Sequence, residues 1–177
     1  VLIIGIDPGS RFCGYGLLEF EGKIVTAAGC DVIRIDEKIC LADRLKILFE
    51  RMSAILDEYH PDLAVVESMF FHKHIHSIFT LGHARGVLLL CLALRSIPVL
   101  EYSPREVKKA VTGNGNASKT QMRYMINHLY KLRYGSPSDD AADALAIATC
   151  HYNKVIFQAS IPEPVSAKTP KSRGKAK

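Results

Sequence analysis

The chain has 177 residues, 48% hydrophobic and 23% charged, the make-up of one globular domain with an ordinary core, which excludes a fibrous or wholly disordered protein. Its five cysteines are odd in number and scattered, with no C-x-x-C pair, which excludes a disulfide framework or zinc knuckle and points to a reducing, cytoplasmic setting. The net charge of +5 is unevenly spread: residues 69–133 are strongly basic and are flanked by two acidic stretches, the pattern of a polyanion-binding surface beside an acidic site.

The first element is Leu2 to Ile6, a short, continuous, β-branched run that reads as a buried strand and stops on Asp7, just before Pro8-Gly9. No basic-then-apolar leader precedes it. Gly14–Phe20 and Ile24–Ile35 read as two further strands turned at Gly22-Lys23. Leu41, Leu45, Leu48, Met52, Ile55, Leu56 and Tyr59 have helical spacing, and that helix stops before His60-Pro61. "DLAVVES" is a second buried strand, and it too ends on an acid, Glu67. After a His-rich loop comes an apolar helix over about 77–95, whose most apolar stretch is far too short to span a membrane. "IPVLEYS" is a short strand, Pro104 opens a helix to about Val111, and Ser118 caps another running to Tyr130. "DDAADALAIATCH" is a strong helix former. From Asn153 the composition turns to Pro, Ser, Lys and Ala, which divides the chain into a folded body, residues 1–152, and a basic, disordered tail, residues 153–177. The order predicts an α/β fold: a mixed five-stranded sheet flanked by helices.

Asp7 and Glu67 each end an apolar strand at its C-terminal edge, where ligands sit in open α/β sheets. Asp before Pro-Gly also has a plain turn-forming use, but Glu at the end of "LAVVE" has no such excuse. Asp140 and Asp143 stand three apart on a helix and face the same way. Ser138 or Asp139 suffices to cap that helix, and Ala141, Ala142 and Ala144 let it lie close to a sheet. Four carboxylates brought together repel one another and call for a cation. Oxygen donors on rigid elements suit Mg²⁺ or Mn²⁺, and two such ions about 3.5–4 Å apart make a phosphodiester-cleaving site.

His72, His74 and His76 share a face on an extended segment, but no fourth ligand lies near enough to favour zinc. A loop touching DNA is the preferred reading, with Lys73 on phosphate and Phe70 or Phe71 against bases. Lys108, Lys109 and Lys119 flank the Gly113-Asn114-Gly115-Asn116 loop and suit phosphate contact. "GNGNASKT" lacks the Gly-Lys-[Ser/Thr] order of a nucleotide-binding P-loop.

In order along residues 1–152, "GIDPGS", "GYG", "VVESMFFHK", "LGHARG", "VKKAVTGNGNASKTQM" and "DDAADALAIA" resemble the RuvC-type crossover junction endodeoxyribonucleases, the Holliday junction resolvases of bacteria. The resemblance implies an RNase H-like fold and a homodimer that makes paired, Mg²⁺-dependent nicks in four-way DNA junctions during recombination and repair. It implies Asp7, Glu67, Asp140 and Asp143 as the catalytic, metal-binding acids of a site with two Mg²⁺, for which Mn²⁺ substitutes. It implies Phe70 and Lys73 as DNA-binding residues of the loop, and Lys108 and Lys119 as lysines serving DNA binding and catalysis, with Lys119 stabilising charge on the phosphate. Its partners would be the branch-migration proteins RuvA and RuvB. His74 departs from the Asn common at that position. Two rivals share parts of the pattern: an RNase H-like nuclease acting on RNA, and an actin/hexokinase-type phosphotransferase, which needs two large lobes that 152 residues do not supply.

Overall fold

The computed structural model describes residues 1–68, 75–130 and 138–159. Five strands form one mixed sheet: β1 (Leu2–Asp7), β2 (Phe12–Glu21), β3 (Ile24–Arg34), β4 (Leu63–Glu67) and β5 (Val99–Tyr102), in the order β3-β2-β1-β4-β5. β1 pairs antiparallel with β2 and parallel with β4, so the two acid-ended strands are neighbours running the same way. The helices are α1 (Leu41–Tyr59), α2 (Ile75–Ala93), α3 (Pro104–Thr112), α4 (Lys119–Tyr130) and α5 (Asp139–Ala159).

Strand alternation sorts the core into two layers. Ile4, Ile6, Ala64 and Val66 point to one face and pack with Leu48, Met52 and Leu56 of α1 and Leu88 and Leu92 of α2. Ile3 and Val65 point to the other and pack with Val107 of α3, Ile126 of α4 and Leu145 of α5. Asp7 and Glu67 continue the parity of Ile3 and Val65 and therefore share the α5 face.

Helix boundaries follow local chemistry. His60 ends α1 in the left-handed conformation (φ 48°), its amide donating to the Leu56 carbonyl, just before Pro61. α3 begins with a capping box that the sequence reading did not single out: the Glu106 amide donates to Ser103 Oγ and the Ser103 amide to Glu106 Oε2. Ser118 and Gln121 cap α4 in the same reciprocal way, as Ser118 predicts. β2 starts at Phe12 rather than Gly14, because pairing with β3 extends to Arg34. α5 runs to Ala159, so residues 153–159, assigned by composition to the tail, are helical. Tertiary contacts hold them: Asn153 Nδ2 donates to the Ala110 carbonyl, and Lys154 pairs with Glu106 at 2.8 Å. Residues 160–177 lie outside the described part. Among the described residues, no helix is long and apolar enough to cross a membrane.

α5 lies on β1 and β2 at backbone distance. A Cβ built on Gly5 would stand 2.1 Å from the Ala144 carbonyl oxygen, and one built on Gly14 would stand 2.1 Å from that of Asp140. Only glycine fits under a helix this close, and Ala144 and Ala148 complete the contact from above. Gly5→Ala must therefore lift α5 from the sheet, since the obstructing atoms are backbone. The expected cost is about 1–3 kcal/mol, read as a lower urea midpoint with an unchanged slope.

Candidate active site

Four acids from three elements meet at the C-terminal edge of the sheet. Asp7 and Glu67 end β1 and β4 side by side. Asp140 and Asp143 come from the first two turns of α5, which the contact over Gly14 brings down onto the strand ends. The burial of Asp7, then the charges of Asp143, Glu67 and Asp140, push its carboxyl up to about 7. Burial followed by Asp143 raises Glu67, and burial raises Asp143. Asp7 thus feels the charges of the other three, and Asp143 raises both Asp7 and Glu67.

Two lysines oppose them. Lys119, at the start of α4, sets Nζ 3.4 Å from Asp143 Oδ2 and lowers the pKa values of Asp7, Glu67 and Asp143. Its own pKa is raised, chiefly by Asp143. Its side chain is 79% exposed, so it is free to turn toward a ligand in the cleft. Lys108, on α3, acts on Glu67 in the same sense. Asp139 stands apart: it pairs with Arg123 at 2.7 Å, while the Ser138 carbonyl accepts the first-turn amide of Ala142. That leaves Asp140 and Asp143 free of capping work.

The donor set fits a hard divalent cation. All four groups are carboxylates, and clustered carboxylates gain most from a concentrated positive charge. Cys13, near Asp7 in the neighbouring strand, packs into the α1–α2 layer, and burial pushes its thiol up to about 12, so it keeps its proton and offers no soft ligand. Among the described residues, no three Asp, Glu, His or Cys side chains stand close enough, as placed, to hold an ion already. Phe70, His72, Lys73 and His74 lie outside the described residues, as does the side chain of His76.

Arg85 is the residue of this region that sequence reading missed. It is 8% exposed, donates from Nη1 to the Glu67 carbonyl at 2.6 Å and pairs through Nη2 with Glu101 at 2.6 Å. The available signal was a lone Arg inside the most apolar helix of the chain. Arg11 and Ser10, beside the Asp7 turn, are turned to protein partners: Arg11 pairs with Glu37, and Ser10 Oγ lies 3.5 Å from Arg44 Nη1.

A family model described as crossover junction endodeoxyribonuclease RuvC matches residues 3–151. The chain is 42% identical over 151 residues to the RuvC of Pseudothermotoga lettingae, covering 85% of this chain and 93% of that protein. It is 41% identical over 167 residues to the RuvC of Hydrogenovibrio crunogenus, covering 94% and 95%. Among solved structures it is similar to Thermus thermophilus RuvC in complex with a Holliday junction substrate. That match has a TM-score of 0.81 at 26% identity and covers 89% of this chain and 96% of the other.

The raised pKa of Asp7 carries a stability signature in the metal-free protein. Between the ordinary carboxylate pKa of 3.8 and about 7, the folded state keeps a proton that the unfolded chain has released, so stability falls as pH rises through that window. Asp7→Asn removes the buried charge at nearly constant shape. In EDTA it should stabilise the fold at pH 8 by about 2–4 kcal/mol in urea unfolding, with the gain shrinking toward pH 4. A gain independent of pH would contradict this account.

Proposed function

The chain belongs to the RuvC family of crossover junction endodeoxyribonucleases, with an RNase H-like sheet, and from that membership and its acidic cleft we propose how it resolves Holliday junctions. It is a metal-dependent DNA-cleaving hydrolase of recombination and repair. In our reading, Asp7, Glu67, Asp140 and Asp143 hold two Mg²⁺, or Mn²⁺ in its place. The observation that supports this reading is the placement of four carboxylates at one sheet edge, Asp7 and Glu67 on the ends of neighbouring strands and Asp140 and Asp143 on the helix laid over them, where burial and then the charges of Asp143, Glu67 and Asp140 push Asp7 up to about 7.

A divalent metal bound there would supply Lewis-acid chemistry: a more acidic attacking water and neutralised charge on the phosphate. The chain's own part is geometric and electrostatic. β1 and β4 fix two carboxylates on rigid strand ends, and Pro8-Gly9 turns the backbone away so that a phosphate can approach. α5 presents the other two from above. Lys119 leaves Asp143 for the scissile phosphate and stabilises the charge that grows on its oxygens; Lys108 holds the neighbouring backbone phosphate. On the family's account alone, Phe70 would meet the bases at the junction centre and Lys73 phosphate. The products expected are a 5′-phosphate and a 3′-hydroxyl.

Paired nicks need two sites, and a homodimer provides them symmetrically. One face of α2 supports this. Phe79 and Leu90 are exposed there, and they line, with Leu45, Gly82, Gly86 and Val87, an apolar groove of about 530 Å³. A Cβ on Gly82 or Gly86 would meet nothing within 4 Å, so a second helix can approach closely. Partnership with RuvA and RuvB is proposed on the family's account alone.

Two outcomes test this reading. Asp7→Asn should abolish nicking of a synthetic four-way junction in Mg²⁺ while leaving junction affinity within about twofold, because binding rests on basic side chains. Retained cleavage would exclude the assignment. Leu90→Asp should turn a dimer into a monomer in light scattering and uncouple the two nicks on a cruciform plasmid. A dimer that survives the substitution would move the interface elsewhere.

A further inference from the structure

The arginine of α2 is the most deeply buried charged residue among those described. Arg85 is 8% exposed, and its fork is divided between two strands. One arm donates to the backbone carbonyl of Glu67 at 2.6 Å, and the other pairs with the Glu101 carboxylate on β5 at 2.6 Å.

The ladder explains why that carbonyl needs help. The amides of Ala64 and Ser68 donate to β5, at Pro98 and Tyr102, so the even positions of β4 face β5 and Glu67 faces β1. Carrying the constant β1–β4 register one residue further sets Asp7 beside Glu67. The next donor along β1 would be the nitrogen of Pro8, which has no hydrogen. The turn that frees the Asp7 carboxylate thus withdraws a ladder bond from Glu67 at the point where β4 must be most rigid. Arg85 supplies the missing donor from α2. Glu101 compensates the buried charge, and its own side chain remains 48% exposed.

We propose that Arg85 is a positioning residue for the active site: it fixes the end of β4, and so the Glu67 carboxylate, with Glu101 as the anchor that orients it. The proposal rests on the reading of Glu67 as a metal-holding acid. Lysine cannot replace the fork, because a single ammonium on a flexible stem does not span two acceptors in one plane.

The full-length chain carrying Arg85→Lys or Glu101→Gln tests it. Glu101→Gln alters only a half-exposed group and keeps the test valid if Arg85→Lys does not fold. The metal-free proteins are titrated with Mn²⁺ by calorimetry. Their affinity for a four-way junction is measured in EDTA, and KM and kcat are measured in Mg²⁺. Both variants should weaken Mn²⁺ binding and lower kcat, by about 10-fold for Arg85→Lys and less for Glu101→Gln. Junction affinity in EDTA and KM should stay within about twofold. Folded variants with wild-type Mn²⁺ affinity and kcat, even at a lower melting temperature, would reduce Arg85 to a packing role and overturn the proposal. If the wild-type chain binds Mn²⁺ but does not cut junctions, the functional reading fails while the Mn²⁺ comparison still decides the role of Arg85.

Discussion

The cleft depends on the approach of α5 to β1 and β2 at backbone distance. Asp7 and Glu67 are placed by the sheet, but Asp140 and Asp143 reach them only because Gly5 and Gly14 leave no side chain beneath the helix. The obstructing atoms on α5 are carbonyl oxygens and an amide, which cannot turn aside as a side chain can. A methyl group on either glycine would therefore displace the whole helix and the two acids it carries. The small residues set the height of α5 above the sheet, and that height sets the separation of the two pairs of carboxylates.

This arrangement works against the stability of the fold. Burial and three neighbouring acids hold Asp7 far above its ordinary pKa, and Glu67 and Asp143 are raised with it. The cost is borne by the two apolar layers on either side of the sheet, in which Ile3, Ile4, Ile6, Val65 and Val66 are fully buried. Lys119 and Lys108 relieve part of the repulsion. Because the Lys119 side chain is largely exposed, it does so without closing the cleft. Conflict of this kind between local electrostatics and the rest of the fold is characteristic of functional sites.

Most elements were legible in the sequence because their signals are local: β-branched runs bounded by acids and Pro-Gly, helical apolar spacing, and caps such as Ser118. Glu67 stood out as an acid with no structural use, and Asp7, Asp140 and Asp143, each with a turn-forming or capping use open to it, gained their weight from standing beside it in the pattern. Features created by tertiary contact were not legible. Gly14 reads as an ordinary strand residue until α5 is seen lying over it. The change of composition at Asn153 looked like the end of the fold, yet α5 continues because Asn153 and Lys154 bind α3, 43 and 48 residues away in the chain. Arg85 falls in the basic stretch and in the "LGHARG" motif, neither of which assigns it a partner. Its meaning comes from a carbonyl on β4 and a carboxylate on β5, neither of which its own neighbourhood in the sequence announces.

α2 has two faces. Phe79, Gly82, Gly86 and Leu90 lie along the outer one, which lines an apolar groove and is the face proposed above for a second copy of the chain. Arg85, between the two glycines, points inward and grips the end of β4. A helix is stiff along its axis, and interior packing gives little when pushed, so a shift on the outer face is passed on to the inner one. In a dimer, the element that meets the partner would then be the element that holds Glu67 in place. Each site would be braced against the other through two helices and two arginines. Two symmetric cuts in one junction require that the two cleavage centres keep a fixed separation, and on the proposed reading this construction would place the fixing point beside Glu67.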